Sequence, residues 1–377
     1  MKLVLLATID SLSPIYGGGA LRVLKVAEKF KERGYQVIFA APSDKKRLNN
    51  VRAYSIPAPT KKSALLSTMI FNIRLCLKII SILGKIDIFF VHNTTAAIAI
   101  FFMTRIFRRR FIMDVTDLHT EYLLCRKRNF MEKFLTPFLI FGEYLIIKSA
   151  DHIIAVSYAM KKHLVSHRCP EEKISVVYDG AEVIRFPQKK EKGANFGIIH
   201  FGRMDLQHGV VTFVKAIPFI LQEFPATKFY FVGEGTEFGR VKQLIKNLHI
   251  NSSCVITGYK PYQEATKYLQ KVSIGVISRP GILANHLVVT VKLFEYWAAT
   301  LAVVSSHLKS IGEIAKDRYD ILFFQPGNFK DLAEKILLLL QKPDLLKRLQ
   351  QNGQETVKKF DWNFLASQIV EVSVKNG

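Results

Sequence analysis

Residues 3–40 read LVLLATIDSLSPIYGGGALRVLKVAEKFKERGYQVIFA. Leu3–Ala7 is a short uninterrupted apolar run, the pattern of a strand covered on both faces. The glycine-rich loop Ser13-Pro14-Ile15-Tyr16-Gly17-Gly18-Gly19 follows. Leu21, Leu24, Val26, Ala27 and Phe30 then recur with helical spacing across residues 19–33. Arg33-Gly34 gives that helix a cation in its last turn and a glycine stop. Gln36–Ala40 is the next buried strand. Strand, helix and strand in succession predict a βαβ unit of a parallel sheet.

Working outward, the alternation continues with strands expected at Ile86–Val91, Arg110–Val115 and His152–Val156. It breaks at residues 186–193, FPQKKEKG, which carry charge, Pro and Gly but no apolar period. Beyond that linker it restarts, with strands at Ile198–Phe201, Lys228–Val232, Val255–Thr257, Ile274–Ile277 and Ala302–Ser305. Helices are expected at 209–223, 237–248, 262–271, 292–299, 329–341 and 344–358. Two βα arrays predict an α/β protein of two Rossmann-like, doubly wound parallel-sheet lobes facing across a cleft. Their domains are residues 1–185 and 194–362, and ligands of such sheets bind at the carboxyl ends of strands.

Composition narrows the function classes. The chain has 377 residues, enough for two α/β domains of ordinary size. Cys76, Cys125, Cys169 and Cys254 are scattered and form no C-x-x-C pair, so neither a zinc site nor a disulfide framework is expected, and a cytoplasmic setting fits. The opening apolar run is too short for a signal peptide, and no stretch has the length of a membrane span. The formal net charge is +23. Residues 1–190 hold 31 Lys+Arg against 15 Asp+Glu, whereas the remainder hold 23 against 16. Such an excess favours anionic partners. Residues 61–85, 101–111 and 126–148 interleave those cations with Phe, Leu and Ile, which suits an anionic membrane face better than nucleic acid, for which no motif is present. Ordinary amphipathic helices with basic outer faces are the alternative.

Four loops carry chemistry. Gly17, Gly18 and Gly19 let backbone N–H groups approach a ligand ahead of a helix N-terminus, or simply make a tight turn. Arg203 follows a strand within Gly202-Arg203-Met204 and has the fork geometry for a diphosphate. Gly233-Glu234-Gly235 ends another strand. Lys292-Leu293-Phe294-Glu295-Tyr296-Trp297 opens a helix, where Glu295 either holds a ribose hydroxyl pair or answers the helix dipole.

With these strings stand Ala150 to Ser157 (ADHIIAVS), Glu172 to Gly180 (EKISVVYDG), Phe323, Pro326-Gly327-Asn328 and Phe360-Asp361-Trp362. Together they resemble the glycosyltransferase family 4 group of retaining GT-B enzymes over almost the full length. The resemblance implies that Gly17 to Gly19 approach the donor phosphates and that Arg203 neutralises the diphosphate leaving group. It implies that Glu295, the second glutamate of the E-x7-E motif, holds the ribose. Val291, Lys292 and Leu293 would flank the phosphates, with Val291 and Leu293 offering backbone N–H groups; Gly233, Glu234 and Asp117 join the substrate-binding set. The closing helix, residues 363–377, would pack back on the first lobe. A nucleotide diphosphate sugar is then a co-substrate and no cofactor or metal is required.

The sequence departs from the family pattern at four places. Leu287 stands where the first glutamate falls, His208 where the lysine partner of the arginine falls, Thr116 where a histidine precedes Asp117, and Thr290 where a proline is usual. His119 is the candidate replacement for that histidine. The expected function is retaining transfer of a hexose to a lipid-linked or glycan acceptor in cell-envelope or glycan biosynthesis, with peripheral attachment to a membrane face. A non-catalytic relative that binds a glycan or a partner enzyme is the alternative, and an epimerase a third.

Overall fold

The computed structural model describes residues 2–10, 12, 17–42, 47–48, 51–56, 64–124, 130–183 and 197–375. The expected linker 186–193, Ser13 to Tyr16 of the glycine-rich loop, and Cys125 lie outside the described residues.

The chain divides into two compact units, residues 1–179 with 362–377, and residues 180–361. The first holds β1 (Leu3–Ala7), β2 (Gln36–Ala41), β3 (Arg47–Leu48), β4 (Val51–Ser55), β5 (Ile88–His92), β6 (Arg110–Val115), β7 (His152–Ala155) and β8 (Ile174–Val176). They form one sheet in the order β3-β4-β2-β1-β5-β6-β7-β8. All pairings are parallel except β3 with β4. Its helices are α1 (Gly17–Glu32), α2 (Ala64–Ile79), α3 (Ala97–Phe107), α4 (His119–Leu124), α5 (Phe130–Lys148) and α6 (Tyr158–Ser166).

The second unit holds β9 (Gly197–Phe201), β10 (Lys228–Val232), β11 (Cys254–Gly258), β12 (Ile274–Ile277), β13 (Ala302–Ser306) and β14 (Leu322–Phe324), all parallel, in the order β11-β10-β9-β12-β13-β14. Around it lie α7 (Val210–Glu223), α8 (Phe238–Asn247), α9 (Tyr262–Ala265), α10 (Leu283–Leu287), α11 (Val291–Ala298), α12 (Lys309–Gly312), α13 (Phe329–Gln341) and α14 (Pro343–Val357). The final helix, α15 (Trp362–Val374), packs on α1 in the first unit.

Strands β1, β5 and β9 are buried along their whole length. Apolar burial on both faces is why they lack alternation. The core of the second unit gathers Phe213, Phe229 and Phe231 in edge and tilted contacts beneath α7.

Several boundaries move. Strand β5 begins at Ile88 rather than Ile86, because Ile80–Lys85 form a 3-10 turn that closes on Ile86. The expected helix 262–271 is α9 followed by 3-10 turns over Thr266–Lys271. Strands β3, β4, β8 and β14 were not expected; β3 has two residues and β8 and β14 three each, too few to display a period. Trp362, assigned to the second lobe by sequence, belongs with the first unit. It is buried there, its ring 5.9 Å from the guanidinium of Arg22. The first unit likewise ends at Asp179 rather than residue 185, since Asp179 is ion-paired to Arg22. Among the described residues, no helix is long and apolar enough to cross a membrane.

Candidate active site

In a doubly wound sheet, strands on either side of one central strand wind outward in opposite directions, and a crevice opens where the order reverses. The first sheet reverses between β1 and β5, the second between β9 and β12. Each reversal carries a charged cluster at the carboxyl ends of its strands.

In the second unit, Gly202 and Arg203 leave β9, and Ser278 and Arg279 leave β12. Gly202 has φ of +103°, a backbone state that suits glycine, and an added Cβ would press on the Lys292 side chain at 3.0 Å. The Arg203 side chain is 72% exposed, and its Nε donates to Asp205 at 2.6 Å. Asp205 also accepts from the Thr236 N–H at 2.8 Å and from its hydroxyl. These bonds hold the Asp205 carboxyl below its usual range against the opposing effect of burial.

Lys292, in the first turn of α11, is pushed down to about 7. Burial is the main cause and Arg279 and Arg203 add to it, while Glu295 and Asp205 oppose. Glu295 is buried and accepts from the Tyr262 hydroxyl at 2.8 Å; burial raises its carboxyl to about 7. His208 is held well below its ordinary value by burial and by Lys292 and Arg279. His200 is pushed down to about 3 by burial and Lys292. Both imidazoles are therefore neutral near pH 7, and the charge of the cluster rests on Arg203 and Arg279, with Lys292 about half protonated.

In the first unit, α1 opens with Gly17, Gly18 and Gly19. A side chain at position 19 would collide with the Asp10 carboxylate and the His92 ring. His92, at the end of β5, bonds Asp114 through Nδ1 at 2.8 Å and lies 3.3 Å from Asp10 through Nε2. Burial opposes its charge, but the two carboxylates prevail and raise it to about 10. Asp114 is lowered to about 2, since Arg22 and His92 together outweigh its burial. Arg22 makes a forked contact with Asp114 (2.8–3.2 Å) and also binds Asp179 and the Val177 and Tyr178 carbonyls. The Tyr178-Asp179 string thus serves in part to seat this guanidinium.

The remaining sequence-selected residues fall as follows. Asp117 is half-buried, accepts from the Tyr122 hydroxyl at 3.0 Å and donates its N–H to Asn93. His119 opens α4, with Nε2 at 3.4 Å from the Thr95 hydroxyl, and its charge is felt at Asp10. Gly233 takes φ of +126° and its N–H donates to the Gly258 carbonyl. The Glu234 side chain is exposed, and its carbonyl accepts from Met204. Leu287 is buried at the end of α10. The Leu293 N–H donates to the Thr290 carbonyl at 3.0 Å, tightening the first turn of α11.

Sequence reasoning missed Arg279, His200, Tyr262 and the Asp10–His92–Asp114–Arg22 chain. Arg279 and His92 could have been found by the rule that selected Arg203. Each is a polar residue at or just beyond the end of a continuous apolar strand, IGVISR and IFFVH. Tyr262 carried no such signal.

Two doubly wound units with charged clusters at their reversal points define a GT-B type of α/β protein. Residues 16–185 match the profile described as Glycosyltransferase Family 4, and residues 180–356 match that of Glycosyl transferases group 1. The chain belongs to this glycosyltransferase family. An uncharacterized glycosyltransferase of Methanocaldococcus jannaschii is 26% identical over 93% of this chain and 92% of its own. The structure resembles sucrose-phosphate synthase from Thermosynechococcus elongatus with a TM-score of 0.85, at 14% identity over 100% of this chain and 99% of that one. It also resembles Anabaena HepE, solved in complex with UDP-glucose, with a TM-score of 0.77 at 15% identity over 98% and 99% of the two chains.

Proposed function

We propose that the chain transfers a hexose, with retention, from a nucleotide diphosphate sugar to a lipid-linked or glycan acceptor during glycan or cell-envelope synthesis. The observation that carries this reading is the convergence of Arg203, Arg279 and Lys292 at the reversal point of the second sheet, beside the buried Glu295. As the bond from the anomeric carbon to the diphosphate oxygen breaks, negative charge grows on the diphosphate. Fixed cations aimed there lower the barrier without a metal. The acceptor oxygen bonds to the same face of the sugar, and its proton passes to the departing phosphate oxygen. Glu295, backed by Tyr262, binds the ribose hydroxyls. Asp117 and His119 bind substrate, and the N–H groups of Gly17 to Gly19 approach the donor phosphates. Work at the cytoplasmic side, with the first unit resting on a membrane face, completes the proposal.

A second reading, a relative that binds without turnover, draws support from the buried Leu287 and the neutral His208. Thermal shift with UDP-, GDP- and ADP-sugars separates the two. A ligand that selects the folded state raises the melting temperature, by about 2.7 kcal/mol of stabilisation at a hundred-fold excess over Kd. UDP-glucose, bound by HepE, is the first donor to test. Arg203→Ala is expected to remove the response to nucleoside diphosphates and spare that to nucleosides. Equal loss of both contradicts the diphosphate role, and binding without release of sugar supports the second reading.

A further inference from the structure

Helix α3 adjoins both α2 and α5 in the first unit, and each of the three leaves a stripe of large apolar side chains in solvent. On α2 the stripe is Met69, Ile73 and Leu77, and on α3 it is Ile98, Phe102 and Ile106. On α5 it runs through Phe130, Phe134, Phe138 and Phe141, the first of them 88% exposed. Intervals of three and four residues place each set on one face of its helix. Isolated exposed apolar residues are ordinary, but aligned stripes on three adjoining helices mark an interaction surface. The charges around them are mostly positive, Glu132 on α5 being the exception. Helices α2 and α3 have no Asp or Glu, and of the two in α5, Glu143 is buried, bonded to Thr94 and Thr120. Arg74, Lys78, Arg105 and Lys133 are exposed.

Where α3 meets β6 the sequence is Arg108-Arg109-Arg110. Arg108 caps α3 with φ of +46°, a left-handed position that glycine or asparagine normally fills. A cavity of about 450 Å³ opens there, lined by Arg105, Arg108, Arg109 and Arg110 with Asp151 as its one carboxylate. Asp151 is already engaged by the Phe111 N–H at 2.7 Å. Arg105 reaches the Ser149 carbonyl and Arg109 the Gly84 carbonyl. The Nε atoms of Arg109 and Arg110 have no partner among the described residues. Four guanidinium groups against one occupied carboxylate suit the oxygens of a phosphate. The cavity adjoins the amino end of β6, the opposite edge of the sheet from His92 and Asp114.

We propose that this arginine cavity receives the phosphate of an anionic lipid headgroup, while the stripes of α2, α3 and α5 sit in the bilayer interface around it. The inference rests on the membrane-facing part of the proposed function and gives it a site. A soluble phosphate would occupy the cavity and leave the stripes in water. A second copy docking by the same face would set cations against cations.

Flotation of the full chain with phosphatidylcholine vesicles, and with vesicles of equal parts phosphatidylcholine and phosphatidylglycerol, tests it. Binding to the anionic vesicles is expected to be about tenfold tighter or more. Arg108→Gln with Arg110→Gln should bring it to the neutral level, and Phe102→Ser with Phe134→Ser and Phe138→Ser should weaken binding to both. Arg108→Gln alone changes an exposed side chain and keeps the test valid should the double variant not fold. Equal flotation with both vesicle types, or no change in the arginine variants, overturns the proposal. So does an arginine-dependent thermal shift with inorganic phosphate in the absence of any flotation. UDP binding by the same variants is expected to be unchanged, so a failure here and a failure of the donor reading are told apart.

Discussion

Lys292 and Glu295 sit one turn apart at the start of α11 and are pulled toward the same value from opposite sides, about 7 for each. A lysine depressed in the folded state contributes stability that is present above its unfolded value and is lost as pH falls through about 7. A glutamate raised in the folded state contributes stability present below its unfolded value and lost as pH rises through about 7. Near neutrality the unliganded site therefore carries both penalties. A diphosphate beside Lys292 restores its charge, so binding near pH 8 should take up a proton. Calorimetric titration with UDP in HEPES and in Tris at that pH should give different heats, and Lys292→Met should abolish the difference. Identical heats in the wild type would show that Lys292 does not meet the phosphate. Arg203 was legible from sequence because it stands alone after a strand. The value of Lys292 was not, since it depends first on burial and then on Arg279, which lies 76 residues further along the chain than Arg203.

The strand-to-loop turns of the second unit work as a pair. Gly202 and Gly233 both adopt positive φ, and a Cβ at Gly233 would strike the Gly202 carbonyl. The turn after β10 is thereby packed directly on the turn that presents Arg203. Gly233→Val combines a left-handed backbone with that clash and should cost about 1–3 kcal/mol, with weaker nucleotide binding because Arg203 shifts with its turn. Melting curves and a UDP titration check it; an unchanged melting temperature would mean the turns move independently. The glycines were visible in the sequence as turn signals, but their mutual contact depends on β9 and β10 being neighbours in register. Element length explains the other misses. Strands β8 and β14 show no period over three residues and owe their strand state to the partners they pair with.

Across the molecule, the first unit is organised around the chain Asp10–His92–Asp114–Arg22–Asp179, which ties β1, α1, β5, β6 and the exit from β8 together. Asp114→Asn leaves Arg22 and His92 without their shared carboxylate and should cost about 3–5 kcal/mol. The raised His92 contributes stability below its unfolded value, lost as pH rises through about 10. The lowered Asp114 contributes stability above its unfolded value, lost as pH falls through about 2. Between pH 6.5 and 10 the His92 contribution falls while that of Lys292 rises, so the melting temperature of His92→Gln should climb relative to the wild type across that range; parallel profiles would remove His92 as a source of pH dependence. Taken alone, the sequence determined the two βα arrays, most of their strands and helices, and the loops that carry Gly17 to Gly19, Arg203 and Glu295. Apolar runs, helical spacing and glycine stops act over a few residues and leave their mark in the string itself. The tertiary structure decided the reversal points, the company of Arg279 and Lys292, the enclosure of His92 between two carboxylates, and the outward turn of the stripes on α2, α3 and α5. Those depend on strand order and burial, which bring together residues far apart in the chain and which no local pattern encodes.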